Sequence, residues 1–474
     1  MKNTILLILS IFLLASCESL VDDLNQDPNN PTSTSYQYIL TGAEVGNIVL
    51  QTGEVARKAA IFGGQYTGID RQHLGFSEYA VTTSDFNSEW NNVYVDVVVN
   101  ARAAEEAARE EGIGAATIGI TQVIRAHALG TAASLWGDIP FDESGFPDIE
   151  APSFEEQESA YSKLQDLLDL AIDNLSDGTG RPTSGAEIYL DGDPVAWTEV
   201  AYTLKARYYM HTREYDKAYE AAQNGISTPT NSLLAPHGNA QENANLNYSF
   251  FAVEVRQSDV ITSDFMASLI APDAAVSPDI ANYRGNDKTD ETGRYNYLFT
   301  LNSFGIQPNT SSGAYAGQDA SAPLVTYAEN TLILAESGFR TAGFDTGLNH
   351  LNEHRVYLAS GGYMSNADPA DLQYDAYDAS DFDSGGLENA DGISSDDALL
   401  REILEERYIT LFGQVEVFND TRRTEDEASV RVPITPNTGT QLPQRFLYPN
   451  SEIDRNPNVP KPVPGFFEAT PVNQ

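Results

Sequence analysis

The chain has 474 residues, of which 69 are acidic and 27 basic, for a formal net charge of −42 at neutral pH. A surface that acidic repels phosphate backbones, which excludes nucleic acid as a partner and favours a neutral or cationic ligand. The apolar and aromatic content is ordinary for a globular protein, so a chain this long can bury a sizeable core, as one extended helical array or as two packed domains.

The first feature in chain order is Lys2 followed by an apolar run from Ile5 to Leu14, which ends in Leu14-Ala15-Ser16-Cys17. Cys17 is the only cysteine. The run is too short to span a bilayer. It resembles a bacterial lipoprotein signal, which implies removal of residues 1–16, acylation of Cys17 and anchoring to the outer membrane by lipid. At about 0.8 kcal/mol per buried CH₂, one acyl chain holds only marginally, so a stable anchor needs more than one. No later stretch reaches the length of about eighteen apolar residues that a membrane helix requires. With Cys17 acylated, no thiol remains for disulfides or cysteine metal sites. Residues 17–35 form the lipidated terminus and a polar linker. Glu18, Asp22 and Asp23 resemble the export signals of surface lipoproteins in the Bacteroidetes, which implies a protein facing the cell exterior. The acidic, lysine-poor composition also suits a saline medium, where screening reduces self-repulsion.

From residue 36 the chain alternates helical patterns with loops. Trp90, Val93, Val97, Ala101, Ala104 and Ala108 recur at spacings of three and four and predict a helix of about 22 residues. Ile120, Val123, Ile124, Leu129 and Leu135 continue in an alanine-rich helix ended by Gly137 and Pro140. Ser153 is the expected cap of a third, carrying Phe154, Tyr161, Leu164, Leu168, Ile172 and Leu175. Trp197, Val200, Ala201, Leu204 and Tyr208, a break at Thr212–Glu214, then Tyr215, Ala218, Ala221 and Ala222 form a helix–turn–helix of one repeat unit. A second pair is predicted from Pro323 to Ser360. Another helix opens at Ser395 or Asp396 and carries Leu400, Ile403, Leu404, Tyr408, Leu411, Phe412 and Val415. The expected fold is all-α: tetratricopeptide-like helix pairs, an α-α superhelix, with long irregular loops. Residues 227–322 are an irregular insertion with one short helix around Ser263 to Ile270. Residues 430–474 carry repeated prolines and are expected to wrap the body as extended chain.

Several stretches together resemble the SusD/RagB family of nutrient-binding outer-membrane lipoproteins: Asp27-Pro28-Asn29 behind the lipobox, Trp136-Gly137-Asp138-Ile139-Pro140-Phe141, Gly192-Asp193 before Trp197, and Ala206-Arg207-Tyr208-Tyr209. The C-terminal run is the most specific, with Glu406-Arg407-Tyr408-Ile409, Phe412-Gly413-Gln414, Phe418-Asn419-Asp420, Arg422-Arg423, Arg445-Phe446-Leu447-Tyr448-Pro449 and Asn456-Pro457-Asn458-Val459-Pro460. The resemblance covers essentially the whole mature chain, with residues 36–474 as the SusD-like domain, and implies a tetratricopeptide-like scaffold whose loops form a ligand-binding face. It also implies a TonB-dependent transporter barrel (SusC-like) as partner, an oligosaccharide or other nutrient as ligand, and no enzymatic activity. The matching residues themselves read as structural. Trp90, Trp136 and Trp197 belong to the core, and Glu406, Arg407, Asp420, Arg422 and Arg423 to ion pairs joining scaffold helices to the C-terminal wrap.

A neutral glycan needs flat aromatic faces and hydrogen-bonding side chains on loops held by a rigid scaffold. Two regions offer them. The first contains Tyr66, Arg71, Phe76, Tyr79 and Asn87, and the second Tyr283, Arg284, Tyr295, Tyr297 and Tyr315. His350-Leu351-Asn352-Glu353-His354 matches a zinc-peptidase pattern, but the stretch also fits the second helix of a repeat pair, and that reading is preferred. The aspartate-rich run 368–397 has loose calcium-loop spacing with Gly385 and Glu388 out of register for an EF-hand, and is read as a solvated loop. The chain carries no nucleophile elbow, P-loop or dinucleotide glycine pattern. No cofactor or metal is expected. The alternatives are a helical protein-interaction scaffold without a small-molecule site and a secreted helical hydrolase.

Overall fold

The computed structural model describes residues 34–254, 256–272 and 282–474; Cys17 and the signal and linker around it lie outside these residues. The scaffold begins with α1 (Tyr36–Thr52), α2 (Glu54–Phe62) and α3 (Arg71–Ser77). A continuous helical rod follows, made of α4 (Asn87–Asn91), a π-helical stretch over Asn92–Val98, and α5 (Val99–Glu110). Next come α6 (Ala115–Trp136), α7 (Gln157–Asp177), α8 (Pro194–His211) and α9 (Tyr215–Ala222). The insertion contributes α10 (Asp264–Ile270) and α11 (Thr292–Leu298). The second repeat pair is α12 (Tyr327–Ala342) and α13 (Phe344–Ala359), followed by α14 (Ser395–Thr410), α15 (Glu416–Arg423) and the short α16 (Asn450–Arg455). α1 packs on α2 and on α5, helices adjacent in the chain pack on one another from α5 through α9, and α9 packs on α12, which packs on α13.

The strands form antiparallel two-stranded ribbons. β1 (Tyr66–Gly68) pairs β5 (Val260–Thr262), β2 (Ile139–Pro140) pairs β3 (Phe154–Glu155), and β4 (Leu233–Ala235) pairs β9 (Ala322–Val325). β6 (Thr289–Asp290) pairs β10 (Gln373–Tyr374), and β7 (Phe299–Asn302) pairs β8 (Gly305–Pro308). These ribbons tie the insertion to the scaffold at both ends: β1–β5 to the segment after α2, β4–β9 to the start of α12.

The expected helix pairs are present, with boundary corrections that have local causes. Ser153 does not cap the third helix, because Phe154 and Glu155 are taken up in the ribbon with β2 and the helix starts at Gln157. α14 ends at Thr410, so Leu411, Phe412 and Val415 lie in the turn to α15. Arg294 to Tyr297, read as loop, are on α11.

Helix α6 is the centre of the molecule. Of its residues only Ala115 and Arg125 are not buried. A helix buried all round must be small-sided where neighbours cross it. Gly119 therefore sits against Leu175 and Ala171 of α7, and Gly130 sits against the ring of Tyr208 of α8. The Tyr208 hydroxyl donates to the Ala126 carbonyl at 3.0 Å, which fixes that ring in place. The last carbonyls of α6 have no partner within the helix and no water to turn to. Gln157 donates to the Ala133 carbonyl (2.8 Å), Arg422 to Ser134 (2.8 Å), and the Phe446 backbone N–H to Leu135 (2.8 Å). The C-terminal wrap is thus held by backbone needs of the core helix. Aromatic packing adds to this: Phe446 lies 5.7 Å from Phe62, 5.0 Å from Phe86 and 5.4 Å from Trp136, centroid to centroid. Trp136 donates to the Leu447 carbonyl at 2.9 Å. All three tryptophans are buried.

The charged residues of the C-terminal motif divide their work. Arg407 and Arg423 both hold Asp420 (2.9 and 2.7 Å), and Arg423 also holds Glu336 of α12. Arg422 reaches the wrap through the Gln444 carbonyl (2.8 Å). Glu406 turns the other way, toward the insertion.

Replacing Gly130 by alanine would place a methyl group inside the Tyr208 ring, and the variant is expected to lose about 1–3 kcal/mol in urea unfolding. Gly42, in the middle of α1 with open space where a Cβ would stand, gives the contrasting case. Gly42→Ala should gain about 0.4–1 kcal/mol in the same measurement.

Candidate functional site

The insertion, the end of α13 and the turn after α14 enclose a cavity of about 500 Å³ walled by tyrosines. Tyr297 comes from α11, Tyr315 from the loop after β8, Tyr357 from the last turn of α13, Tyr363 from the segment beyond it, and Phe412 from the turn after α14. Backbone hydrogen bonds lock the insertion loop to α11: Asn309 N–H to the Leu298 carbonyl (2.8 Å) and Tyr315 N–H to the Tyr297 carbonyl (3.1 Å). Gly361 and Gly362, both at positive φ, turn the chain sharply off α13 and place Tyr363 over the cavity. Only glycine adopts that pair of conformations without strain.

The rings form a continuous series. Tyr327 and Tyr357 are 5.1 Å apart, Tyr357 and Tyr363 6.4 Å, Tyr363 and Tyr297 5.9 Å, Tyr297 and Tyr315 6.4 Å, and Tyr315 and Phe412 5.2 Å. Tyr66 continues it beneath the floor, 5.2 Å from Phe412. Tyr297, Tyr315 and Phe412 are buried and make the floor; Tyr357 and Tyr363 are half-buried lining rings, and Tyr327 packs on Tyr357 without lining the cavity. Burial raises the phenol pKa of Tyr297, Tyr357 and Tyr363 and pushes Tyr315 up to about 12. Across the physiological range these groups are neutral hydroxyls on apolar rings. Ser321, Ser365, Thr326, Thr410 and Gln414 add neutral polar groups, and Asp319 is the one carboxylate among the described lining residues.

Behind the cavity wall lies a buried ionic network. Thr410 donates to Glu406 Oε1 at 2.9 Å. Glu406 binds Arg284 (2.6 Å), Arg294 (2.9 Å) and His354 Nε2 (3.0 Å), and Arg284 continues to Glu291 (2.9 Å) and Glu402. Fully buried charges survive only when paired and hydrogen-bonded in this way. The network holds α11, α13 and α14 in register and makes the cavity wall stiff.

Of the residues expected from sequence, Tyr297 and Tyr315 come together in the cavity, and Tyr66 supports its floor. The others do not join them. Arg284 is buried in the ionic network. Tyr295 packs on Phe299 (5.6 Å), and the Tyr283 hydroxyl accepts from the Glu291 N–H. Arg71 is exposed and pairs with Asp259 at 2.9 Å. Phe76 lies under the ammonium of Lys58, 4.7 Å from its centroid. Tyr79 and Asn87 receive the C-terminal wrap: the Tyr79 hydroxyl accepts from Asn437 N–H (3.1 Å), and Asn87 accepts from the Ser451 hydroxyl (3.0 Å). Sequence reasoning missed Tyr357, Tyr363, Ser321, Ser365 and Asp319. Tyr363 carried a usable signal, an aromatic directly after two glycines that end a helix.

The two histidines of the zinc-like pattern face different partners. His350 Nδ1 meets Glu353 at 2.8 Å on a surface turn, whereas His354 is buried against Glu406. In the acidic run, Asp378 and Asp381 meet Lys288 (3.1 and 2.6 Å) and Asp391 meets Arg401 (2.8 Å). Among the described residues no group of three or more histidine, cysteine or acidic side chains is placed to hold a metal ion, and no helix is long and apolar enough to cross a membrane.

With this geometry in view, comparison with known proteins is informative. The SusD-like family model, described as starch-binding and associating with the outer membrane, matches residues 28–449. A SusD/RagB family protein from Bacteroides thetaiotaomicron superposes with a TM-score of 0.66 at 19% identity, covering 90% of this chain and 95% of the other. A chitin-binding SusD homologue from Flavobacterium johnsoniae gives 0.66 at 16% identity, covering 92% and 98%. A SusD homologue from Bacteroides fragilis gives 0.64 at 16% identity, covering 93% and 100%. No curated protein sequence matches the chain.

The buried carboxyls make stability depend on pH in two opposed directions. Burial raises Glu402 to about 8 and Glu405 to about 7, so the folded state binds these protons more tightly than the unfolded chain does. That contribution is complete below the ordinary carboxyl pKa and is lost as pH rises toward 8. Burial acts upward on Glu336 as well, but Arg423, Arg340 and Arg407 overcome it and hold the group at about 2. Its contribution is present above the ordinary carboxyl range and is lost as pH falls through it. Calorimetric Tm should therefore peak near the ordinary carboxyl pKa, at about pH 4–5, and decline on both sides. Glu405→Gln should flatten the alkaline limb; a Tm that climbs steadily to pH 8 would contradict the assignment.

Proposed function

This chain belongs to the SusD-like family, and from that premise we propose that it is a non-enzymatic surface lipoprotein that captures an oligosaccharide in the tyrosine cavity and passes it to a TonB-dependent, SusC-like transporter barrel. The observation that carries the reading is the series of tyrosine rings around one cavity. Half-buried ring faces can stack on the apolar faces of sugars, and neutral hydroxyls can hydrogen-bond the sugar hydroxyls without asking for charge. Hydrolysis of a glycosidic bond uses a pair of carboxyl groups flanking it; Asp319 stands alone on this cavity among the described residues, which favours capture over turnover. A stiff wall favours capture too, since rings already held in place lose little entropy on binding. The described relatives include chitin-binding proteins, so fragments of chitin and of starch are the first ligands to try. Lipidation of Cys17 would keep the protein at the outer membrane, beside the transporter mouth.

Titration of starch and chitin oligosaccharides against the purified chain should give saturable binding with no product formed. Tyr363→Ala and Tyr357→Ala, at half-buried positions, should each weaken it by roughly tenfold, about 1.4 kcal/mol. Binding that both variants leave unchanged would place the ligand elsewhere. Cys17→Ala should leave this binding intact but release the protein from the outer-membrane fraction; retention there without the transporter would refute the lipid anchor.

A further inference from the structure

A second cavity, of about 330 Å³, lies where the loop between α6 and α7 meets α5. It shares no lining residue with the tyrosine cavity. Its character is opposite to that of the protein as a whole. Arg102 and Arg109 from α5 and Arg125 from α6 converge on it against two carboxylates, Glu105 and Glu106, in a chain whose net charge is −42. Glu105 alone is shared by Arg109 (2.8 Å) and Arg125 (3.0 Å).

Arg102 makes no ion pair. Its Nη2 donates to the carbonyls of Asp142 (3.0 Å) and Phe141 (3.4 Å), and its buried Nε has no acceptor. Burial first, and then the neighbouring Arg125 charge, lower its pKa to about 10, so it stays cationic at neutral pH. The guanidinium lies 4.3 Å from the centroid of Phe146, whose ring is 46% exposed at the cavity mouth. Gly145 permits this closeness: it sits at φ +79°, and a Cβ there would press on Arg102 and Val98. The loop is therefore built to hold an aromatic ring over a cation that lacks a carboxylate. A planar carboxylate is the natural complement of guanidinium groups, and an exposed ring beside them suits the apolar face of a sugar.

We propose that this cavity is a second binding site, for a sugar carrying a carboxylate, of the uronic acid class. The carboxylate sits among Arg102, Arg109 and Arg125, and the sugar ring lies against Phe146. A polysaccharide with acidic units could then be held at two places on one molecule, and the linkage would strengthen weak individual contacts.

The test uses D-galacturonate, D-galactose and acetate as probes against the purified full chain, by titration calorimetry and ligand-observed NMR. Galacturonate should bind at least about tenfold more tightly than either galactose or acetate, and molar NaCl should weaken it. Arg102→Ala should abolish the preference. Because that change also removes two loop hydrogen bonds, Phe146→Ala and Arg109→Ala, both at exposed positions, serve as independent variants and should each cost several-fold. Tyr363→Ala should leave galacturonate binding unchanged. The proposal is overturned if galacturonate binds no better than galactose, if acetate binds equally well, if Phe146→Ala and Arg109→Ala are silent, or if Tyr363→Ala removes the binding.

Discussion

The buried α6 helix sets the terms for the rest of the molecule. Its last carbonyls are buried: Ala133 accepts from the Gly137 N–H that ends the helix and from Gln157, while Ser134 and Leu135 take their donors from the C-terminal part of the chain. Gln157 from α7, Arg422 from α15 and the backbone of Phe446 supply them. This requirement explains why the C-terminal segment, rich in proline and short of helix, is nonetheless ordered and closely packed. It also explains why the tightest sequence motifs cluster at α15 and the wrap, since a change there would strand a carbonyl in the core at a cost of about 1–3 kcal/mol.

Beside the apolar core, buried arginines join one helix to another. Arg207 bridges α8 to α12 through a bidentate pair with Glu329, at 2.6 and 2.7 Å, and touches His127 of α6. Arg423 and Arg407 bridge α12, α14 and α15 through Glu336 and Asp420. Arg284 and Arg294 bridge the insertion to α14 through Glu402 and Glu406. Such pairs are weak evidence for stability, because desolvation offsets much of the attraction. What they supply is position: a fork-shaped donor that meets two oxygens fixes the angle between helices. The tyrosine cavity depends on the last of these networks, since its wall residue Thr410 is hydrogen-bonded to Glu406.

The two cavities offer different chemistry. One presents neutral phenols, the other guanidinium groups beside a phenylalanine. Each combines residues of helices with residues of a loop.

The amino-acid sequence alone was enough for the helix pairs, because an apolar stripe at spacings of three and four can be satisfied only by a helix packed on a neighbour. The break at Thr212–Glu214 and the burial of Trp90, Trp136 and Trp197 followed from the same pattern. The proline-rich C terminus, unable to continue as helix, was legible as extended chain. The sequence also flagged two regions with aromatics on loops, one of them in the insertion. It did not show which aromatics meet. Tyr295, two residues from Tyr297, packs on the β7 ribbon, and Arg284 of the same region lies in the ionic network, while Tyr357 stands beside core Leu358 on a helix and still opens onto the cavity. Tyr297, Tyr315, Tyr357, Tyr363 and Phe412 come from four separate segments. Only the docking of those segments on α14 decided their meeting, because exposure on a helix or loop depends on what packs against it, and spacing along the chain carries no record of that.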